Sequence, residues 1–124
     1  MKMSEKITKI NDLYRGDELI IEMLNDTISL AAGYVEIVTN METKIQTLRF
    51  RLEGYDFRMR VQELDEQRRR KHNALIASLR SFDRLMMAEG NEDLKLFDGD
   101  IEDRYAIGNW AGQTVNEIFC NRRA

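Results

Sequence analysis

Residues 57–89, FRMRVQELDEQRRRKHNALIASLRSFDRLMMAE, decide the fold. Phe57, Val61, Leu64, Leu75, Leu79, Phe82 and Met86 recur at three- and four-residue steps, with one gap of eleven residues, about three helical turns, between Leu64 and Leu75. That spacing lays them along one face of an α-helix, and no glycine or proline interrupts it. At 1.5 Å per residue the stretch is about 50 Å long. A compact chain of this size has a radius of gyration of only about 13–14 Å. One end of the helix should therefore protrude from the globule or lie on another subunit. The expectation is an all-α helical bundle of four to five helices, with one long central helix and self-association.

Working outward, Gly54 and Asp56 predict the turn before this helix, with glycine in a left-handed conformation and Asp56 as the helix cap. Upstream, Ile20, Leu24, Ile28, Ala31, Val35 and Val38 share one helical face. Leu19, Met23, Leu30, Tyr34, Ile37 and Met41 form a second stripe beside it. A face this wide needs neighbours on two sides. The stripe rotates after Val38 and resumes at Met41, Ile45, Leu48 and Leu52. Thr39-Asn40-Met41-Glu42 has the form of a capping box, so a kink or break is expected there. A short helix over Ser4–Tyr14, capped by Ser4, precedes Gly16 as a stop and Asp17 as the next cap.

Downstream, Gly90 and Asn91 end the long helix, and an acidic connector runs to Asp103. A last helix is expected from about Ile101 to Arg122. Gly108 and Gly112 share its face with Ile101, Tyr105, Val115 and Phe119. Each glycine costs a helix about 1 kcal/mol against alanine. Close approach to a neighbouring helix would account for them, and the alternative is a helix that starts near Asn109. The whole chain, 1–124, reads as a single helical domain.

Composition agrees. Proline is absent, a third of the residues are charged, and the net charge is −3. Cys120 is the only cysteine, which rules out a disulfide within the chain and any multi-cysteine metal site. It reads as a small buried hydrophobe. The charged start lacks the apolar core of a secretory signal, and no apolar run approaches the roughly 20 residues of a membrane span. A cytoplasmic protein without membrane contact is expected.

Charge is segregated along the chain. Residues 1–43 carry a net −4, residues 44–84 a net +5, and residues 85–104 a net −5. The basic stretch includes Arg68-Arg69-Arg70-Lys71-His72. Arg69, Arg70 and Lys71 are the candidates for nucleic-acid contact. Asp65 and Glu66 lie one turn earlier, in the favourable order for ion pairing, and the pI near 5.3 is low for a nucleic-acid binder. A solvated, ion-paired face is the simpler reading.

Arg68 falls at the centre of the apolar stripe, where leucine would be expected, with His72 one turn later. A guanidinium facing a core must be paired. If the hairpin aligns residues whose numbers sum to about 110, Glu42 lies opposite Arg68, with Glu22 or Asp26 next in line. Arg68, His72 and Glu42 would then form a structural polar layer that fixes helix register. The sharper alternative is a ribonuclease. Helical nucleases of the HEPN type carry an Arg-x4–6-His motif, which Arg68-x3-His72 resembles but misses by one residue. The chain has a single histidine, so no His–His acid–base pair can form.

Asp98-Gly99-Asp100-Ile101-Glu102-Asp103 fails the EF-hand spacing, with Asp103 where glycine is needed and Asn109 where glutamate is needed. It reads as an acidic cap on the last helix. Trp110 lies away from the Tyr105–Gly112 face, either covered by another segment or at an interface. No phosphate loop, nucleophile elbow, zincin motif or dinucleotide fingerprint occurs. No cofactor or metal is implied, and no enzymatic activity is expected.

Three stretches together carry a family resemblance: Leu48-Arg49-Phe50-Arg51-Leu52-Glu53-Gly54, Arg69 to Ile76, and Asp103-Arg104 with Val115-Asn116-Glu117-Ile118-Phe119. Over about residues 40–122 the chain resembles a bacterial family of small all-helical proteins of unknown function. The resemblance implies a helical bundle in a bacterial cytoplasm and brings no activity or ligand with it. The functional expectation is a non-enzymatic protein-interaction module, a homo-oligomer or a binder of a helical protein partner. A nucleic-acid-binding accessory protein is the alternative.

Overall fold

The computed structural model describes residues 2–120, the side chain of Cys120 excepted. The expected end of the last helix at Arg122 and the burial of Cys120 therefore lie outside the described residues. Four α-helices occur among the described residues: α1 (Met3–Leu13), α2 (Glu18–Arg51), α3 (Gly54–Ala88) and α4 (Arg104–Val115). A 3-10 turn (Glu92–Leu94) interrupts the connector, and a π-helical turn (Asn116–Cys120) extends α4. No strand occurs among the described residues. The all-α bundle with a long central helix is confirmed, and it contains two long helices.

α2 and α3 form an antiparallel hairpin joined only by Leu52 and Glu53, both extended. Gly54 then enters α3 at φ +56, a conformation that glycine adopts without strain. Asp56 sits inside the first turn, and Glu53 occupies the cap position without a side-chain bond, which corrects the expected cap. The short turn sets the register. Thr27 hydrogen-bonds Ser78, and the Tyr34 ring packs on His72, so facing residues have numbers summing to about 105. Ile20 and Met86, Leu24 and Phe82, Ala31 and Leu75, Val38 and Arg68, Met41 and Leu64, and Ile45 and Val61 share levels. The expected break at Thr39–Asn40 is absent. Thr39 donates its hydroxyl back to the Val35 carbonyl at 2.9 Å, and the helix continues. α3 carries its stripe through the same levels, so α2 has no reason to bend.

The core occupies only the lower half of the hairpin. Ile10, Ile20, Leu24, Ala31, Tyr34, Leu75, Leu79, Phe82, Met86, Leu94, Leu96, Phe97, Ile107 and Ala111 are buried, and none lies between residues 35 and 74. α4 runs down α2. Arg104, Tyr105, Gly108 and Asn109 stand beside Val35, Val38 and Thr39, while Glu117, Ile118 and Phe119 reach Asn25 and Ile28. Asp103 starts α4 by accepting from the Tyr105 and Ala106 amides, as the acidic-cap reading expects. Asp17 caps α2 in the same way through Ile20. Ser4 does not cap α1. The helix starts at Met3, and the Ser4 amide donates to Glu117 at 3.3 Å.

Gly90, at φ +78, terminates α3. Its amide bonds the Met87 carbonyl, and the Asn91 amide bonds that of Met86 at 2.8 Å, a Schellman arrangement. The connector is then fastened at four points. Asn91 donates to the Tyr14 hydroxyl at 2.6 Å, and Lys6 Nζ to the Lys95 carbonyl at 2.6 Å. Asp83 accepts from the Leu96 and Phe97 amides at 2.7 and 3.2 Å, and the Trp110 indole donates to the Leu96 carbonyl at 2.7 Å.

Candidate functional site

Where the core ends, a polar collar crosses the hairpin. Arg68 Nε donates to Asp65 at 3.0 Å, one turn earlier on the same helix, and the Arg68 side chain is only 14 % exposed. Arg69 reaches the other oxygen of Asp65 at 3.0 Å. The hydrogen bond from Arg68, aided by the charges of Arg68, Arg69 and Arg104, lowers the Asp65 pKa. Burial opposes the Arg68 charge, but Asp65 and Tyr34 outweigh it and leave its pKa raised. Glu42 is exposed and takes no part, which corrects the expected pair. The reason is the two-residue turn, which moves the register by about five residues and sets the arginine beside Val38.

His72 lies against Tyr34 with ring centroids 5.6 Å apart. Its Nε2 is enclosed and has no hydrogen-bond partner. Burial lowers its pKa, and the charges of Arg68 and Arg104 act in the same direction. Nε2 is thus closed to solvent, and His72 is not among the residues that line the groove beside the collar. The structure sets Arg68 and His72 one turn apart on α3, facing Val38 and Tyr34 respectively, and leaves Glu42 out.

Beside the collar, Tyr34, Thr39, Asp65 and Arg68 of the hairpin and Arg104, Tyr105, Gly108, Asn109 and Gly112 of α4 line a groove of about 450 Å³. A Cβ on Gly108 or Gly112 would meet nothing within 4 Å, and neither residue has positive φ. Close helix packing, expected from the sequence, is therefore not their role. They face open space. The Arg104 guanidinium lies 5.4 Å from the centre of the Tyr105 ring, which is itself largely exposed.

Beyond the collar the hairpin continues as a two-helix arm, residues 40–64, which α4 does not cover. Met41, Ile45, Leu48, Leu52, Phe57, Val61 and Leu64 are only half-buried there. At the tip Phe50 is 92 %, Tyr55 67 % and Met59 38 % exposed. Among the proposed nucleic-acid contacts, Arg69 is ion-paired, and Arg70 and Lys71 are exposed. Trp110 is covered by the connector, with Phe97 edge-on at 6.3 Å and its N–H satisfied, so it offers no free interface. The connector packs over α4 because Asp83 draws the Leu96 and Phe97 amides inward, a contact with no signature in linear spacing.

A family model described as protein of unknown function (DUF3232) matches residues 1–124. The chain belongs to the DUF3232 family. The match takes in the base, collar and arm of this DUF3232 chain together, more than the 40–122 span on which the sequence resemblance rested. No curated protein matches the chain. Among the described residues of this DUF3232 protein, no helix is long and apolar enough to cross a membrane.

Proposed function

We propose that the chain is a non-enzymatic protein-interaction module that self-associates by packing the arms of two copies antiparallel. The observation that carries this is the arm itself, two helices whose apolar side chains have no third helix over them and end in the exposed Phe50, Tyr55 and Met59. A second copy suits the charge. Residues 40–64 carry five basic and four acidic side chains, so two arms meet without strong repulsion and with both signs available for pairing. Each arm offers a face roughly 18 Å long and 20 Å wide, about 400 Å² per partner. That is at the low end for a specific interface, so the dimer is expected to be weak and concentration-dependent.

Sedimentation equilibrium between about 1 and 500 µM tests this. The mass should climb from 14.6 kDa toward twice that value, and Phe50→Ser with Met59→Ser should hold it at the monomer. A wild-type protein that stays monomeric throughout refutes the proposal. The exposed Arg70 and Lys71 favour the nucleic-acid reading second. That reading requires steeply salt-dependent binding of single-stranded RNA, lost on their substitution.

A further inference from the structure

The groove beside the collar has cationic chemistry that the arm does not use. Arg68 is mostly buried, yet its only ion pair among the described residues leaves from Nε. Its two terminal amino groups have no charged acceptor, and the neutral Tyr34 hydroxyl is the polar group beside them. Arg68 lines the groove together with Arg104, which has no ion-pair partner among the described residues. The one carboxylate there, Asp65, is shared between Arg68 and Arg69. Among the residues that line the groove, two guanidiniums stand against this one carboxylate, and Arg69 takes its second oxygen from outside the groove, so the lining carries a net positive charge. An anion is the ligand that excess attracts, and a phosphate monoester, with about −1.5 to −2 near neutral pH and three acceptor oxygens, can engage both guanidiniums at once. Planar guanidiniums also suit oxygens presented in pairs.

Two further features bear on the rest of the ligand. Gly108 and Gly112 lie in an ordinary helix, each at a propensity cost, with neither a neighbour nor a left-handed backbone to require them. Glycine also serves where a ligand must approach a backbone closely. Side chains at these two positions would project into the groove and narrow it. The Tyr105 ring and the Asn109 amide stand at the same wall, and the volume of about 450 Å³ falls in the range of small-molecule sites.

We infer that this groove binds a phosphate monoester with a flat organic body, of the size of a nucleoside monophosphate, the phosphate held by Arg68 and Arg104 and the body laid against Gly108 and Gly112. The inference is independent of self-association through the arm.

Amide and arginine Nε resonances, followed during titration with AMP, inorganic phosphate and adenosine in separate arms, test it. AMP should shift Arg68 Nε and the Gly108 and Gly112 amides saturably, at concentrations about tenfold or more below those needed for phosphate. Arg104→Gln and Arg68→Gln should each weaken AMP about tenfold or more. Arg104 is exposed and unpaired among the described residues, so its variant reads binding even if the Arg68 variant folds poorly. Gly108→Ala with Gly112→Ala should raise Tm by several degrees, since alanine is the better helix former, while weakening AMP and sparing phosphate. Absence of shifts with both AMP and phosphate up to about 20 mM overturns the inference. Equal affinity for the two overturns the role of the organic body. A double-alanine variant that changes oligomeric state and leaves AMP unaffected would instead make the groove a seat for a helix.

Discussion

Leu75 and Leu64 lie on the same face of α3, three turns apart, and truncating each to alanine separates base from arm. Leu75 is fully buried. Its replacement removes three carbon groups worth about 0.8 kcal/mol each on transfer and leaves an enclosed void, so a loss of about 3 kcal/mol is expected. Leu64 is half-buried and lines two grooves open to solvent, one with Leu48 and Arg60 and one with Ile37 and Lys71. Water fills the space it vacates, only about half of the transfer free energy is at stake, and the loss should be about 1 kcal/mol. Urea unfolding at about 1 µM protein measures both values, with an unchanged slope as the check on two-state behaviour. Equal losses for the two variants would mean that the arm is packed as tightly as the base, and the division of the hairpin into a packed base and a loose arm would be wrong. Repeating the Leu64→Ala measurement at a few hundred micromolar adds a second reading. If arms pair, the wild type gains stability with concentration, and the variant falls further behind.

The single histidine makes pH a clean probe. The His72 pKa is depressed in the fold, so between that value and about 6.5 the unfolded chain binds more protons. Stability is therefore fully present above pH 6.5 and declines as the pH falls through the folded pKa. His72→Gln should flatten that part of a stability profile, and an unchanged slope would place the imidazole in solvent. Asp83→Ala strips the buried Leu96 and Phe97 amides of their acceptor and should cost about 2–4 kcal/mol. Because the indole of the only tryptophan bonds Leu96, its fluorescence should shift to the red, and an unmoved spectrum would show that the connector holds without Asp83. Gly90→Ala, at φ +78, should lower stability by about 1 kcal/mol, measured by thermal melting, whereas a neutral result would mean that α3 ends without the left-handed residue.

What the amino-acid order determined by itself was local. Apolar residues at three- and four-residue spacing specify α2 and α3, Asp17 and Asp103 satisfy the free amides that begin α2 and α4, and Gly90 supplies the left-handed residue that ends α3. Each is a preference of a backbone turn for a neighbour within four positions, which is why it can be read in one dimension. The anomaly of Arg68 in an apolar stripe was legible for the same reason. Its partner was not, because the level at which two helices meet depends on the length of the turn between them. A two-residue turn put Val38 beside the arginine and left Asp65, one helical turn away, as its counter-charge. Tertiary structure also decided the glycines of α4. A missing side chain looks the same whether a helix presses on it or nothing does, and only the position of α2 shows that Gly108 and Gly112 open onto a groove. The covering of Trp110 likewise depends on where Asp83 anchors the connector, thirteen and fourteen residues away along the chain.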